Sequence, residues 1–309
     1  MDDTQLELVL NEWEIRDLPT DPREFIVDNL ILQRTINIIN GPRGCGKSWL
    51  AFGLANCAMG RIHVGPWNPI LKNVVNVMIV DGELPIDEII SRNISMACGI
   101  GGRGKMYFYA DAYTQRMGAP HINLCSERIR DYIHEQIHNK KIGMVVFDNL
   151  SALCPGIDEN DKKEFDDINR WMMDLRYEGV TILEVHHTGK SGDQRGTSAH
   201  EDHVDLSLTI SRPANYSSKD GCKIIVSPSK DRNFVFKYDN VYLRLKHDDP
   251  YGVCEHYPEE SNYLILSEFG IEEAKALLKH NPSATEKQAL GMGISSSSFF
   301  RAKKELKGG

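Results

Sequence analysis

One octapeptide near the amino terminus combines glycines with a lysine and a serine at a spacing that could enclose a triphosphate. Its sequence is Gly41-Pro42-Arg43-Gly44-Cys45-Gly46-Lys47-Ser48, and Trp49 follows it. Glycines allow positive φ angles and let backbone N–H groups approach phosphate oxygens. A lysine and a hydroxyl at the end of such a loop can reach the terminal phosphates and a Mg²⁺ ion. The spacing predicts that Gly41–Trp49 bind ATP, with Lys47 on the terminal phosphates and Ser48 on Mg²⁺.

Two acidic side chains lie where apolar runs end. Asp148 ends the run 144–147, and Glu83 comes shortly after the run 74–80. An Asp at the carboxyl edge of a parallel sheet can hold Mg²⁺ beside a phosphate-binding loop. A carboxylate at the other strand end can polarise the water that attacks the γ-phosphate, so Glu83 is the general-base candidate. Asp81 could share that role or bind a further water beside the site. The alternative for Glu83 is capping of the helix that follows.

A histidine pair ends a third apolar run. His187 could contact the γ-phosphate and report its loss to the glycine-containing loop that follows. Together with His186, His200 and His203 it could also suggest a metal site. We do not expect one, because adjacent strand residues point to opposite faces and no histidine pair at helical i, i+4 spacing accompanies them.

Two cations follow the strand-like run 222–226. Lys230 and Arg232 are two residues apart, so on an extended segment both point to the same side. They could neutralise charge on a γ-phosphate, and from an adjacent subunit they would act as an arginine finger. A solvated charged turn is the alternative.

The elements that must position these groups alternate along the chain, which predicts an α/β protein whose mainly parallel central sheet is covered by helices on both faces. The predicted strands are Thr35–Asn40, Val74–Val80, Lys105–Ala110, Gly143–Phe147, Val180–Val185, Val204–Ile210 and Cys222–Val226. The predicted helices are Trp49–Ala58, Ile86–Ala97, Ser126–Asn139 and Glu164–Tyr177. The loop of the octapeptide therefore lies between a strand and a helix.

Length and composition divide the chain further. The 309 residues suffice for one large domain with a small appendage. We predict an N-terminal arm at 1–20, an ATPase domain at 21–266 and a C-terminal helical segment at 267–309. Two helices of that segment surround a glycine turn, and the second is basic, which resembles a helix-turn-helix; a small bundle for protein contacts is the equal alternative.

Charge and cysteine usage limit the class of protein. A net charge of −8 argues against a general polyanion-coating protein, although a locally basic channel could still hold nucleic acid. The seven cysteines are scattered and include no CxxC pair, which is typical of reduced thiols in the cytoplasm. Neither an export signal nor a membrane span is visible in the sequence.

With these motifs in order, the chain resembles RecA-like P-loop ATPases, most closely the plasmid- and phage-type RepA-like hexameric helicase ATPases, which are relatives of the DnaB-type replicative helicases. The resemblance covers roughly residues 20–240. It rests on GPRGCGKS, DGELP, MVVFDNLS, HHTGKSGDQRGTS and the Lys230-Asp231-Arg232 group.

This resemblance implies a role for each motif. It implies Glu83 as catalytic glutamate, Asp148 as the Mg²⁺-holding acid, His187 as γ-phosphate sensor, and Lys230 and Arg232 as a pair acting on a neighbour's ATP. The assembly it implies is a homo-oligomeric ring of six subunits.

The resemblance also implies loops at the centre of the ring that grip single-stranded DNA. These would be 152–163 and 188–200, with Lys190 and Arg195 on DNA phosphates. The first loop departs from the family pattern, because 155–161 is acidic.

The leading hypothesis is a Mg²⁺-dependent ATPase motor that assembles into a ring and moves on single-stranded DNA, as a helicase in the replication of a plasmid, phage or other mobile element. The alternative is a non-motor oligomeric ATPase that regulates a protein or nucleoprotein partner, which the acidic charge favours. A monomeric kinase fits less well, because no Arg-rich lid segment is visible.

Overall fold

A computed structural model describes residues 9–97, 104–156, 162–187, 202–213, 216, 222–245 and 254–256, and isolated positions between 275 and 306. The helices in these residues are α1 Glu12–Arg16, α2 Lys47–Ala58, α3 Ile86–Ala97, α4 Asp111–Arg116, α5 Glu127–Lys140, α6 Leu150–Leu153 and α7 Lys162–Tyr177. The strands are β1 Phe25–Val27, β2 Ile31–Leu32, β3 Ile36–Gly41, β4 Asn76–Asp81, β5 Met106–Ala110, β6 Ile142–Asp148, β7 Thr181–His187, β8 Leu206–Ser211, β9 Cys222–Asp231, β10 Val241–Leu245 and β11 Cys254–His256.

Nine of the described strands form one sheet, in the order β11-β10-β9-β8-β3-β7-β6-β4-β5. The six strands from β8 to β5 in that order are parallel. Strands β9, β10 and β11 extend the sheet in antiparallel fashion. The mainly parallel α/β fold expected from the sequence is confirmed. Because β7 lies between β3 and β6, the carboxyl ends of these three strands meet along one edge of the sheet.

The sheet carries a hydrophobic core on each face. Along β6, Met144 and Val146 belong to one core, whereas Val145 and Phe147 belong to the other. Successive strand residues point to opposite faces, so a strand covered on both sides must be apolar throughout. Residues of α2 fill the first core, and residues of α5 and α7 fill the second. The helices thus hold the central strands in place from both sides.

Strand β9 is longer than the sequence predicted. It continues to Asp231, so Lys230 lies inside the strand and not after it. Pro228 has no N–H group for a ladder, so a strand that continues through this position is not expected from the sequence. The pairing with β8 shifts register so that Pro228 faces Leu208 and Ser229 is an extra residue, and this bulge accommodates the proline.

The predicted C-terminal segment at 267–309 lies largely outside the described residues, so its helix-turn-helix character and the domain boundaries stay predictions. Strands β1, β2, β10 and β11 and the short helices α1, α4 and α6 were not predicted. None of the helices in the described part of the chain has the length and hydropathy that crossing a bilayer requires.

Candidate functional site

The glycines of the octapeptide shape a tight loop between β3 and α2. Gly44 and Gly46 have φ angles of 69° and 107°, in the left-handed region that favours glycine. A β-carbon on Gly46 would collide with Cys222 Sγ, and one on Gly41 would lie 2.7 Å from the Ile210 carbonyl oxygen. No side chain caps α2, whose first residue follows Gly46. The amide N–H groups at this helix end are the groups that bind phosphate in such loops.

The Lys47 ammonium is held inside the loop. The residue is 3% exposed. Its Nζ donates to the carbonyl oxygens of Gly41 and Pro42 at 2.7 and 2.8 Å. Burial lowers the pKa of Lys47, and the exposed Arg43 nearby acts in the same direction. A buried cation beside the amide groups of a helix start suits a polyanion such as a triphosphate.

Ser48 and Asp148 form the pair predicted to hold Mg²⁺. The Ser48 hydroxyl donates to Asp148 Oδ1 at 3.2 Å. Among the described residues, no donor reaches the buried Asp148 Oδ2. Hydroxyl and carboxylate oxygens are the ligands that Mg²⁺ prefers, so this pair fits the ion. Burial raises the pKa of Asp148 to about 6, although the Ser48 hydrogen bond opposes that rise.

The raised pKa of Asp148 predicts a stability gain on its replacement by asparagine. Burial raises the folded-state pKa from 3.8 to about 6, so the carboxyl group favours folding below about pH 4 and this contribution is lost as the pH rises through 6. Two pKa units correspond to about 3 kcal/mol. In EDTA, Asp148→Asn should therefore raise the free energy of unfolding by up to about 3 kcal/mol at pH 8 and leave it unchanged near pH 4. Urea denaturation at both pH values measures this effect. An equal difference in the free energy of unfolding between the variant and the unaltered protein at pH 4 and pH 8 would contradict it.

Asp81 shapes the turn that presents Glu83. Its Oδ1 accepts hydrogen bonds from the backbone N–H groups of Glu83 and Leu84 at 3.0 and 2.7 Å. It lies opposite Asp148 on the neighbouring strand, and burial raises the pKa of Asp81 to about 7. These contacts favour a positioning role over the shared general-base role considered from the sequence.

Glu83 meets the ends of two other strands. Its Oε2 accepts a hydrogen bond from Asn149 Nδ2 and lies 3.9 Å from His187 Nε2. The Glu83 side chain is 64% exposed, so water can reach it. Because the carboxylate bonds Asn149, the contact favours the site role over the helix-capping alternative. Burial lowers the pKa of His187 and the nearby Lys47 charge acts in the same direction, whereas the Glu83 carboxylate opposes this shift.

A cleft of about 430 Å³ adjoins the loop. The lining includes residues 44–49 and His187, which the sequence placed at the nucleotide site, together with Arg92, Arg212, Tyr216, Cys222 and Lys223. A cleft of this size with several cations suits a nucleotide.

Three residues that contact the predicted site residues were not themselves predicted from the sequence. The Arg92 guanidinium lies 4.9 Å from the centre of the Trp49 ring. Arg212 donates to the Gly44 carbonyl oxygen at 2.6 Å and lies 4.2 Å above the Tyr216 ring. Asn149, whose Oδ1 also accepts from the Ala152 N–H at 3.0 Å, fixes Glu83 to the start of α6. No motif marks the two arginines, whereas Asn149 directly follows Asp148.

Lys230 and Arg232 lie at the opposite edge of the sheet. Strand β9 starts at Cys222, beside Gly46, and runs antiparallel to β8 until Lys230 faces Ser207. Arg232 is exposed, and its guanidinium donates to the Asp202 carbonyl oxygen. The structure therefore does not bring the two cations to the phosphate loop of their own chain.

The nucleic-acid contacts predicted for Lys190 and Arg195 lie outside the described residues, as does the acidic stretch 157–161. These assignments stay predictions.

Comparisons with known proteins agree with this fold. Residues 4–193 match a family model described as an AAA domain. No curated protein matches the chain. Among crystal structures, the chain is similar to the flagellar accessory protein FlaH from Methanocaldococcus jannaschii, with a TM-score of 0.50, 16% identity, and coverage of 73% of this chain and 90% of that one. It is also similar to the KaiC-like protein PH0186 from Pyrococcus horikoshii OT3, with a TM-score of 0.49, 13% identity, and coverage of 74% and 91%.

Proposed function

The chain belongs to the AAA domain family and is a P-loop ATPase with a RecA-like fold, and from this premise we propose that it is a ring-forming ATP-driven motor on single-stranded DNA. We propose further that it serves as a helicase for a plasmid, phage or other mobile element. One observation carries the proposal: the phosphate-binding groups lie at one edge of the sheet, and the two cations suited to the γ-phosphate lie at the other.

Within one chain, each group at the phosphate loop has a separate role in ATP hydrolysis. The N–H groups of the loop and Lys47 hold the phosphates of ATP. Ser48 and Asp148 would hold Mg²⁺, which would neutralise charge on the phosphate oxygens. Glu83, positioned by Asn149, orients and deprotonates the attacking water. His187, next to both Lys47 and Glu83, contacts the γ-phosphate.

The missing part of the site must come from a second copy of the chain. Lys230 and Arg232 can reach an ATP γ-phosphate only if the far edge of one sheet packs near the loop of the next subunit. Such a head-to-tail contact uses two different surfaces of each subunit, so its repetition forms a ring when the rotation from one subunit to the next closes on itself. We propose a ring of six.

The proposed contact with DNA follows from chain continuity. His187 ends β7, and the segment that carries Lys190 and Arg195 follows it directly. Loss of the γ-phosphate can therefore act on residues suited to DNA phosphates through a few residues of backbone. This supports a motor that changes its grip on DNA in each cycle.

A regulatory ATPase without motor activity is the second candidate. The acidic residues Asp158, Glu159 and Asp161 follow α6, where a DNA-gripping loop would be basic. The net charge of −8 favours a protein partner in the same way.

ATP turnover with and without DNA separates the two candidates. We expect Mg²⁺-dependent hydrolysis that a single-stranded oligonucleotide stimulates, and loss of all turnover in Lys47→Ala, which excludes a contaminating ATPase. The double variant Lys190→Ala, Arg195→Ala should lose the stimulation, because each removed cation weakens phosphate binding. Lys72→Ala, which removes an exposed lysine paired with Glu24, is the matched control and should keep it. Equal turnover with and without DNA would favour the regulatory candidate.

A further inference from the structure

Two helix ends bring three metal-ligating side chains together, away from the nucleotide site. His134 and His138 lie four residues apart on α5, so both project from the same side of the helix. Glu178 follows α7 directly. The Nε2 atoms of the two histidines lie 2.8 and 3.1 Å from the same oxygen, Glu178 Oε2. The ligand atoms of all three side chains lie within 4.8 Å of one another.

The topology of the sheet explains why the two helix ends meet. Helix α5 leads into β6 and α7 leads into β7, and these two strands are parallel neighbours. Both helices therefore end at the amino-terminal edge of the sheet. The phosphate loop lies at the carboxyl edge, about 20 Å away along strands of seven residues. The cluster is thus separate from the proposed hydrolytic site.

The geometry of the two imidazoles suits a shared cation. Their rings are stacked, with centroids 4.9 Å apart and an angle of 24° between the planes. Two protonated rings in this arrangement would repel each other, whereas two neutral rings can aim both Nε2 lone pairs at one ion. His138 also lies in the last turn of α5, where the helix dipole favours positive charge.

From this cluster we infer that His134, His138 and Glu178 bind one transition-metal ion of the Zn²⁺ class. Two imidazoles and a carboxylate are a ligand set that zinc uses, whereas Mg²⁺ prefers oxygen ligands alone. Zinc–ligand bonds of about 2.0–2.2 Å place tetrahedral ligand atoms about 3.3 Å apart, which small movements of these side chains achieve. Their partial exposure leaves the fourth position open to water.

A bound zinc ion would cross-link the C-terminal ends of α5 and α7. Zinc binds the folded chain, which assembles the three ligands, more tightly than the unfolded chain, so it raises the melting temperature. At a hundredfold excess over its dissociation constant, we expect a rise of about 5 °C.

Titration of the full chain with Zn²⁺ alone tests this inference. The protein is first treated with EDTA and then separated from the chelator. A reductant is present throughout so that the cysteine thiols stay reduced. Calorimetry should show one equivalent of zinc per chain. His138→Ala and Glu178→Gln should each weaken zinc binding by at least about 10- to 100-fold. That is the effect of removing a residue that only orients a metal ligand, and removing the ligand itself should weaken binding at least as much. Both variants should also lose the rise in melting temperature.

His121→Ala is the matched control. His121 is exposed and pairs with a single carboxylate, Asp111, at 2.7 Å, so its loss should leave zinc binding unchanged. Stoichiometric binding with the same affinity in His138→Ala and Glu178→Gln as in the unaltered chain would overturn the inference, and so would no saturable binding in the unaltered chain. These readouts do not depend on ATP hydrolysis, so they stand apart from the proposed function.

Discussion

Replacing Arg232 with alanine should lower ATP turnover by about 10³-fold or more while leaving ATP binding nearly unchanged. The binding groups around Lys47 lie at the carboxyl edge of the sheet, whereas Arg232 lies at the other edge of the same chain. An arginine that reaches a neighbour's γ-phosphate stabilises charge in the transition state and contributes little to ground-state binding. Steady-state hydrolysis and binding of a fluorescent ATP analogue measure the two effects.

Arg23→Ala is the control for charge loss at the same edge. Arg23 is exposed and donates to Asn233, next to Arg232, at 2.9 Å. Its replacement should leave turnover within a few-fold of the unaltered protein. Similar losses in Arg23→Ala and Arg232→Ala would indicate a general effect of surface charge and contradict the proposed role.

Mixed assemblies test whether Arg232 acts on a neighbour. A Lys47→Ala subunit retains Arg232, and an Arg232→Ala subunit retains the loop, so random mixing completes about a quarter of head-to-tail interfaces. We therefore expect partial recovery of turnover in the mixture. No recovery at any ratio would refute the trans assignment.

Replacing Glu83 with glutamine should slow hydrolysis by about 10²- to 10⁴-fold, the range typical of a general base. Glutamine keeps a carbonyl oxygen that can accept the hydrogen bond from Asn149, so the geometry of the turn persists while the proton acceptor is lost. The variant should bind ATP and hold it unhydrolysed. Single-turnover measurements separate this slow chemical step from slow product release.

Two further variants sharpen the test of Glu83. Asn149→Ala should cause a smaller loss, because water and His187 still surround the carboxylate. Asp87→Asn removes an exposed carboxylate from the first turn of α3 and should have little effect. Normal hydrolysis in Glu83→Gln would remove that residue from the role.

The sequence was sufficient to predict those structural features that depend on residues close in the chain. The loop at 41–49 combines a buried strand, two left-handed glycines and a helix start, and each of these has a local signature. The central strands were likewise predictable, because strands buried on both faces are apolar throughout. The predicted ends of these strands differ from the observed ends by at most two residues.

The remaining contacts depend on positions that only the fold brings together. Arg212 meets Gly44 across 168 residues, and Asn149 meets Glu83 across 66 residues. Neither pair has a spacing that could have indicated contact. The same holds for Glu178 and His138, although the four-residue spacing of His134 and His138 was visible in the sequence and carried no prediction.

The continuity of β9 has a mechanical consequence. One end of the strand packs beside Gly46 of the phosphate loop, and the other end carries Lys230 and leads into Arg232. Ten residues of strand span about 30 Å and stretch little along their length. In a ring where Arg232 acts on the ATP of the next subunit, β9 is therefore a rigid connection between two successive catalytic sites. A shift of the loop on hydrolysis of one ATP would move the arginine toward or away from the ATP at the following site. Such coupling favours sequential hydrolysis around the ring over random hydrolysis.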